Sequence, residues 1–223
     1  MSEPASVIPV FPLPNVVLFP KLQLPLHIFE PRYRQMVRDA MAHRGLIGMA
    51  LLRGDWEKNY YANPEIYGIG CLGKIVGITP LPDGRYNILL HGLTEYEIEE
   101  EVLGETPYRQ ARVALRGDLA LAAVEKTAIA SFQREILELA RGTIQEDDSP
   151  LMKILSDSTI DAATWLNLCC FSFDIAPVEK QSLLEAKSLQ ERAARLIDVL
   201  RFRAAERSTV EASHGSREGK LPH

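Results

Sequence analysis

The segment Val7–Tyr33, VIPVFPLPNVVLFPKLQLPLHIFEPRY, restricts what this chain can fold into more than any other part of it. It is too aliphatic to stay unfolded. Pro9, Pro12, Pro14 and Pro20 recur too often for a helix, because each removes a backbone donor and clashes with the preceding turn. Short apolar stretches separated by prolines read as edge strands and bends, where a missing ladder donor does little harm. Folded β structure, organised as a small barrel, is the expected product.

Further along, Pro31 is placed to open a helix on which Tyr33, Met36, Val37, Ala40 and Met41 follow a 3.6 period and which Gly45 can close; this helix is expected to plug one end of the barrel. The apolar run Leu46–Leu52, between Gly45 and Gly54, predicts a central strand. Runs 70–79 and 85–92 flank Asp83-Gly84, a pair suited to a type I′ hairpin turn. In TEYEIEEEV (94–102) strict alternation puts Tyr96, Ile98 and Val102 toward a core and Glu95, Glu97, Glu99 and Glu101 toward solvent. The run 108–115 would bury Ala111, Val113 and Leu115 and turn Gln110 and Arg112 toward that glutamate row.

At Gly117 the period changes from two to 3.6. Residues 119–141 predict a helix with Val124, Ala128, Phe132, Ile136 and Ala140 on one stripe. A second helix is expected from near Ser158, a third from Pro177, and a fourth from Ser188 with Glu191 completing a capping box. The division is therefore a β pseudo-barrel over 1–116 with one inserted helix, a helical bundle over 117–207, and a disordered tail over 208–223, an α+β architecture.

Composition narrows the function classes. A net charge of -5 offers no positive field for nucleic acid or an anionic membrane. No apolar run approaches the ~18 residues of a membrane span. Cys71, Cys169 and Cys170 are odd in number, and the last two are adjacent in an apolar helical segment, so they read as reduced, buried small hydrophobes of a cytoplasmic protein. No Cys/His spacing suits a metal, and no cofactor is expected. The run Gly215–Lys220 is one residue too short for a phosphate loop and is followed by Leu221.

Three motifs, IPVFPLPNVVLFPKLQLPLHIFEPRYRQMV (8–37), YGIGCLGKIVGITPLPDGRYNILLHGLTEYEI (67–98) and PVEKQSLLEAKSLQERAARLIDVL (177–200), together resemble the N-terminal, substrate-binding domain of the ATP-dependent protease Lon in a free-standing form. The resemblance covers roughly residues 7–207. It implies a PUA-like pseudo-barrel followed by helices, and a non-catalytic role in recognising unfolded or client proteins. Implied partners are those clients and a full-length Lon or another protease or chaperone, in protein quality control. A full Lon also needs an ATPase and a serine-lysine protease module, and these 223 residues hold neither.

The residues leave three site readings open. Trp56, Tyr60, Tyr61 and Tyr67 concentrate aromatics in the loop 53–67; they either anchor a protein partner or fold back to cap the barrel. Client binding in a groove where barrel meets bundle would use this loop and strand edges. His27 and Glu30 are a local base and acid that a small enzyme could use, although Glu30 also suits the helix N-terminus. A PUA-like barrel could bind RNA, against which the glutamate row counts.

Overall fold

The computed structural model describes residues 6–60, 63–117, 125–141 and 150–215. Its strands are β1 (Ser6–Leu13), β2 (Gln23–Ile28), β3 (Leu46–Leu51), β4 (Ile69–Pro80), β5 (Tyr86–Val102) and β6 (Arg109–Leu115). Its helices are α1 (Pro31–Ala42), α2 (Glu125–Arg141), α3 (Pro150–Leu155), α4 (Ala162–Ser172), α5 (Pro177–Leu184) and α6 (Leu189–Gly215), so the architecture is α+β. Two compact units result, one of Met1–Leu119 with Asn167–Glu185, the other of Ala120–Leu166 with Ala186–His223.

In the first unit the sheet order is β2-β5-β4-β3-β1-β6, and β5 also pairs β6, which closes β5, β4, β3, β1 and β6 into a ring. Only β1 and β3 run parallel. Strand β5 is long enough to serve two neighbours, with Tyr86–His91 against β2 and Tyr96–Val102 against β6. Ile8, Val10, Ala50, Leu72, Tyr96, Ala111 and Val113 fill the ring. The Tyr96 ring lies against Gly48 and Gly70, and its hydroxyl donates to the Met49 carbonyl at 2.9 Å. A Cβ on Gly70 would come within 2.2 Å of that same carbonyl oxygen.

Helix α1 starts at Pro31 as its sequence predicts, with the Glu30 carbonyl accepting from Arg34 at 2.9 Å. Tyr33, Met36, Val37 and Ala40 are buried, while Met41 stays exposed. Phe11 of β1 meets Tyr33 with ring centroids 4.4 Å apart. On the other side of the unit, Asn167 Nδ2 donates to the Pro20 carbonyl at 3.1 Å and Gln181 Nε2 to the Ile69 carbonyl at 2.9 Å, tying residues of α4 and α5 to the strands.

Several local expectations are corrected. The β4–β5 turn is not type I′: among its residues only Gly84 has a positive φ, and the bonds run from Gly84 N to Leu81 O and from Leu81 N to Arg85 O, both 2.9 Å. Pro82 explains this, because it lacks the donor a two-residue hairpin needs there and its fixed φ suits the second position of a type I turn. Glu95 does not face water. It is 2% exposed, with its carboxylate 3.1 Å from Arg116 Nη1. Leu115, opposite Tyr96 at the end of β6, is exposed instead of buried.

In the second unit α2 packs on α6, with Ile136, Ala140, Ala193, Leu196, Ile197 and Leu200 buried and an ion pair between Glu135 and Arg201. Val124 lies outside the described residues. Helix α4 is capped by Asp161, not started near Ser158: Asp157 engages Thr159, while Asp161 Oδ1 accepts from Thr164 N at 3.1 Å. The short α3 was not foreseen. Ser188 Oγ accepts from Glu191 N at 3.0 Å, while the Glu191 carboxylate reaches Lys187 N at 2.8 Å, one residue before the position a capping box requires. Helix α6 runs past Arg207 to Gly215, so residues expected to be disordered from 208 are helical that far; 216–223 lie outside the described residues.

Candidate functional site

Two clefts of the first unit lie along α1. Strand β6 pairs with β1 at Ser6–Val10, whereas β3 joins β1 only from Val10 onward. The other edge of Ser6–Pro9 therefore looks into a cleft of about 670 Å³, walled by Asp39, His43 and Arg44 at the end of α1, by Leu46 and by Tyr108. A second cleft of about 510 Å³ continues along the helix between Arg32, Gln35, Arg38 and Asp39 on one side and Glu105–Pro107 on the other. The two adjoin at Asp39, which lines both, and are together called the trough.

Its waist is fixed by hydrogen bonds. Tyr108 Oη donates to Asp39 Oδ2 at 2.8 Å, and Gln35 Nε2 to Asp39 Oδ1 at 2.6 Å. Burial first, and the Asp39 hydrogen bond second, push the Tyr108 phenol up to about 12, so this hydroxyl stays a neutral donor. Val7, which lines the strand-edged cleft, is 45% exposed; Leu103, 95% exposed, lines a separate, smaller cleft of about 180 Å³ together with Arg32, Tyr33 and Tyr108. A single exposed apolar side chain is ordinary, but one lining a strand-edged cleft, as Val7 does, is a ready anchor.

At the α1 N-terminus the trough meets the aromatic loop. Trp56–Asn59 form a 3₁₀ turn, and Trp56 meets Tyr60 edge to face with centroids 6.0 Å apart. Tyr60 Oη donates to Glu30 Oε1 at 2.8 Å, Arg32 Nε bonds Glu30 Oε2 at 3.0 Å, and the Arg32 guanidinium sits 5.5 Å from the Tyr60 ring. Burial and the Glu30 hydrogen bond raise the Tyr60 phenol. Arg109 pairs with Glu101 at 2.6 Å and donates to the Pro64 carbonyl, which holds the loop's return. Tyr67 lies farther along, its ring 5.8 Å from the Arg53 guanidinium, and Tyr61 lies outside the described residues. Trp56 and Tyr60 are thus brought together, half-buried, beside the trough.

His27 and Glu30 are not brought together as a base and acid. The imidazole is engaged by Asn87 Oδ1 at 2.7 Å and Arg85 Nη1 at 3.1 Å, and the Glu30 carboxylate by Arg32 and Tyr60. Among the described residues no group of His, Cys, Asp or Glu has metal-binding geometry, and no helix is long and apolar enough to cross a membrane. Sequence reasoning missed Val7, Asp39, Arg44 and Tyr108. Their one visible signal was the charge bias of α1, with Arg32, Arg34, Arg38 and Arg44 in or beside a helix holding the single acid Asp39.

A model of the ATP-dependent protease La (LON) substrate-binding domain matches residues 7–201. The chain is 27% identical over 203 residues to a Lon protease of Parabacteroides distasonis, covering 90% of this chain and 24% of that protein. It is 29% identical over 218 residues to one of Roseiflexus castenholzii, covering 96% of this chain and 26% of that protein. It thus spans about a quarter of the length of these relatives. Similar solved folds are the N-terminal domain of the Mycobacterium avium complex Lon protease (TM-score 0.63, 17% identity, 87% of this chain and 98% of that one) and a Lon N-terminal domain protein from Xanthomonas campestris (0.61, 19%, 86% and 98%).

Proposed function

The chain belongs to the family of the Lon substrate-binding domain, and from that premise we propose that it binds extended segments of unfolded or client polypeptides without acting on them chemically. The observation that carries this reading is the β1 edge at Ser6–Pro9 opening into the cleft beside α1. An extended client can add its main chain to such an edge and place alternate side chains in the pockets on either side. Val7 and Leu46 offer apolar contacts along the trough, and in this reading Trp56, Tyr60 and Tyr67 extend that surface through the aromatic loop. In this reading the protein serves quality control in the cytoplasm, as an adaptor presenting clients to a full-length Lon or to another protease or chaperone.

The test is fluorescence anisotropy with a permanently unfolded chain, such as reduced and alkylated α-lactalbumin. The native protein should bind the unfolded chain and not its folded form. Val7→Ser, at a half-exposed position, should weaken binding about tenfold, or roughly 1.4 kcal/mol. Trp56→Ala with Tyr60→Ala should weaken it as well; unchanged affinity in that double variant removes the loop from the account. Absence of any binding to unfolded chains overturns the reading itself.

A further inference from the structure

The smaller cleft, of about 180 Å³, lies beside the trough, and Tyr108 and Gln110 line both it and the strand-edged cleft. A cavity of about 150 Å³ takes a molecule the size of benzene, so this one has room for a single side chain. Its charged groups satisfy one another. Arg109 pairs with Glu101 at 2.6 Å and Arg32 with Glu30 at 3.0 Å, so two guanidinium groups meet two carboxylates and an ionic occupant gains nothing. Glu105 belongs to the same loop but lines the neighbouring cleft along α1. Two hydroxyls are also engaged: Thr106 Oγ1 donates to the Tyr108 carbonyl and Tyr108 Oη to Asp39, both at 2.8 Å. Two neutral groups are left over. Tyr33 lines the cleft and is 4% exposed, yet its hydroxyl has no hydrogen-bond partner among the described residues. Phenylalanine would keep the ring contact with Phe11, so this hydroxyl adds nothing to the packing. Burial holds the Tyr33 phenol up at about 12, which keeps it a neutral donor. A neighbouring void that Tyr33 also borders, about 10 Å³, is too small for a ligand. The Gln110 side-chain amide is without a partner among the described residues as well, and its Oε1 lies against Gly104, another lining residue, where an added Cβ would come within 3.2 Å of it.

Resting on the client-binding reading above, we propose that this cleft is a side-chain pocket that accepts the neutral carboxamide of a glutamine or asparagine in the bound client and discriminates against a carboxylate of the same shape. The carboxamide oxygen accepts from Tyr33 Oη, its NH₂ group donates to Gln110 Oε1, and the aliphatic stem lies along Val102 and Leu103, which line the same cleft. A glutamate would bring in a charge that no lining cation is free to meet. A methionine, of similar length, fills the space but leaves both neutral groups without a partner.

The experiment measures binding of three labelled peptides that share one apolar host sequence and carry either glutamine, methionine or glutamate at two positions. The glutamine peptide should bind about 3- to 10-fold tighter than the methionine peptide, the gain expected from one or two net hydrogen bonds, and the glutamate peptide no tighter than the methionine one. Tyr33→Phe and Gln110→Met, each checked for folding by circular dichroism, should each reduce the preference for glutamine. Tyr33→Phe should also leave the urea midpoint no lower, because the hydroxyl has no internal bond to lose; a lowered midpoint with an unchanged order of peptides assigns it a structural role and overturns the inference. Equal binding of the glutamine and methionine peptides, or no binding of any peptide while the unfolded protein binds, overturns this inference and leaves the client-binding reading in place. Failure of all three peptides alongside failure of the unfolded protein overturns both. Tightest binding of the glutamate peptide overturns the choice of a neutral occupant.

Discussion

Replacing Arg116 by methionine should destabilise the first unit by about 3 kcal/mol, and the reason is local. Glu95 is 2% exposed and Arg116 16% exposed, with Nη1 and Oε2 3.1 Å apart. Removing one partner of a buried ion pair leaves an uncompensated charge and is destabilising by about 3–5 kcal/mol. Arg116 also donates to the Leu184 and Glu185 carbonyls, both at 3.3 Å, and losing such bonds adds about 1 kcal/mol. Its residual exposure, and the further contacts that Glu95 keeps, bring the expectation back toward the lower figure. Glu95→Leu combined with Arg116→Met removes both charges, so it should cost only about 1–2 kcal/mol, less than Arg116→Met alone. Native-state hydrogen exchange on β5 and β6 is the appropriate assay, because it reads this unit separately from the helical one. A cost below about 1 kcal/mol for Arg116→Met, with the two substitutions additive, would refute the argument that the pair is desolvated.

Gly70→Ala places a methyl group 2.2 Å from the Met49 oxygen and 2.4 Å from Tyr96 Oη, and should lower stability by about 1–3 kcal/mol, read as a shifted urea midpoint. Burial raises the Tyr33 and Tyr108 phenols from 10.0 to about 12. The folded state therefore holds protons that the unfolded state releases, so stability should be intact below pH 10 and fall between about 10 and 12; urea midpoints measured across that range check it, and Asp39→Asn should soften the fall. Burial also pushes the Cys169 thiol up, and Cys71, Cys169 and Cys170 are all buried, so an aromatic disulfide reagent should label none of them until denaturant is added.

Where local chemistry decides an element, the sequence was readable. Pro31 at a helix start and the alternation of Ala111 and Val113 behave as their spacing demands, and Ser188 forms its half of the expected capping box by accepting from Glu191 N, while the Glu191 carboxylate goes to Lys187 N. Glu95 escaped because β5 is covered on both faces at that point. Tyr96 turns into the ring and Glu95 turns toward Arg116 and the carbonyls of 184–185, a covering supplied by chain some ninety positions later that alternation alone cannot register. The helix cap went to Asp161 because Asp157 and Thr159 close a turn of their own, a competition settled by geometry more than by residue preference. The aromatic loop was visible in composition. The trough was not, since it joins the start of β1, one side of α1 and the β5–β6 loop, segments far apart in the chain.

The most direct test of the account is hydrogen exchange on the full chain with and without a saturating unfolded client, resolved to short segments. Client binding at the open strand edge predicts slower exchange at residues 6–9 and 39–46, with β2 unchanged. Protection confined to other segments, or none at 6–9, would contradict it.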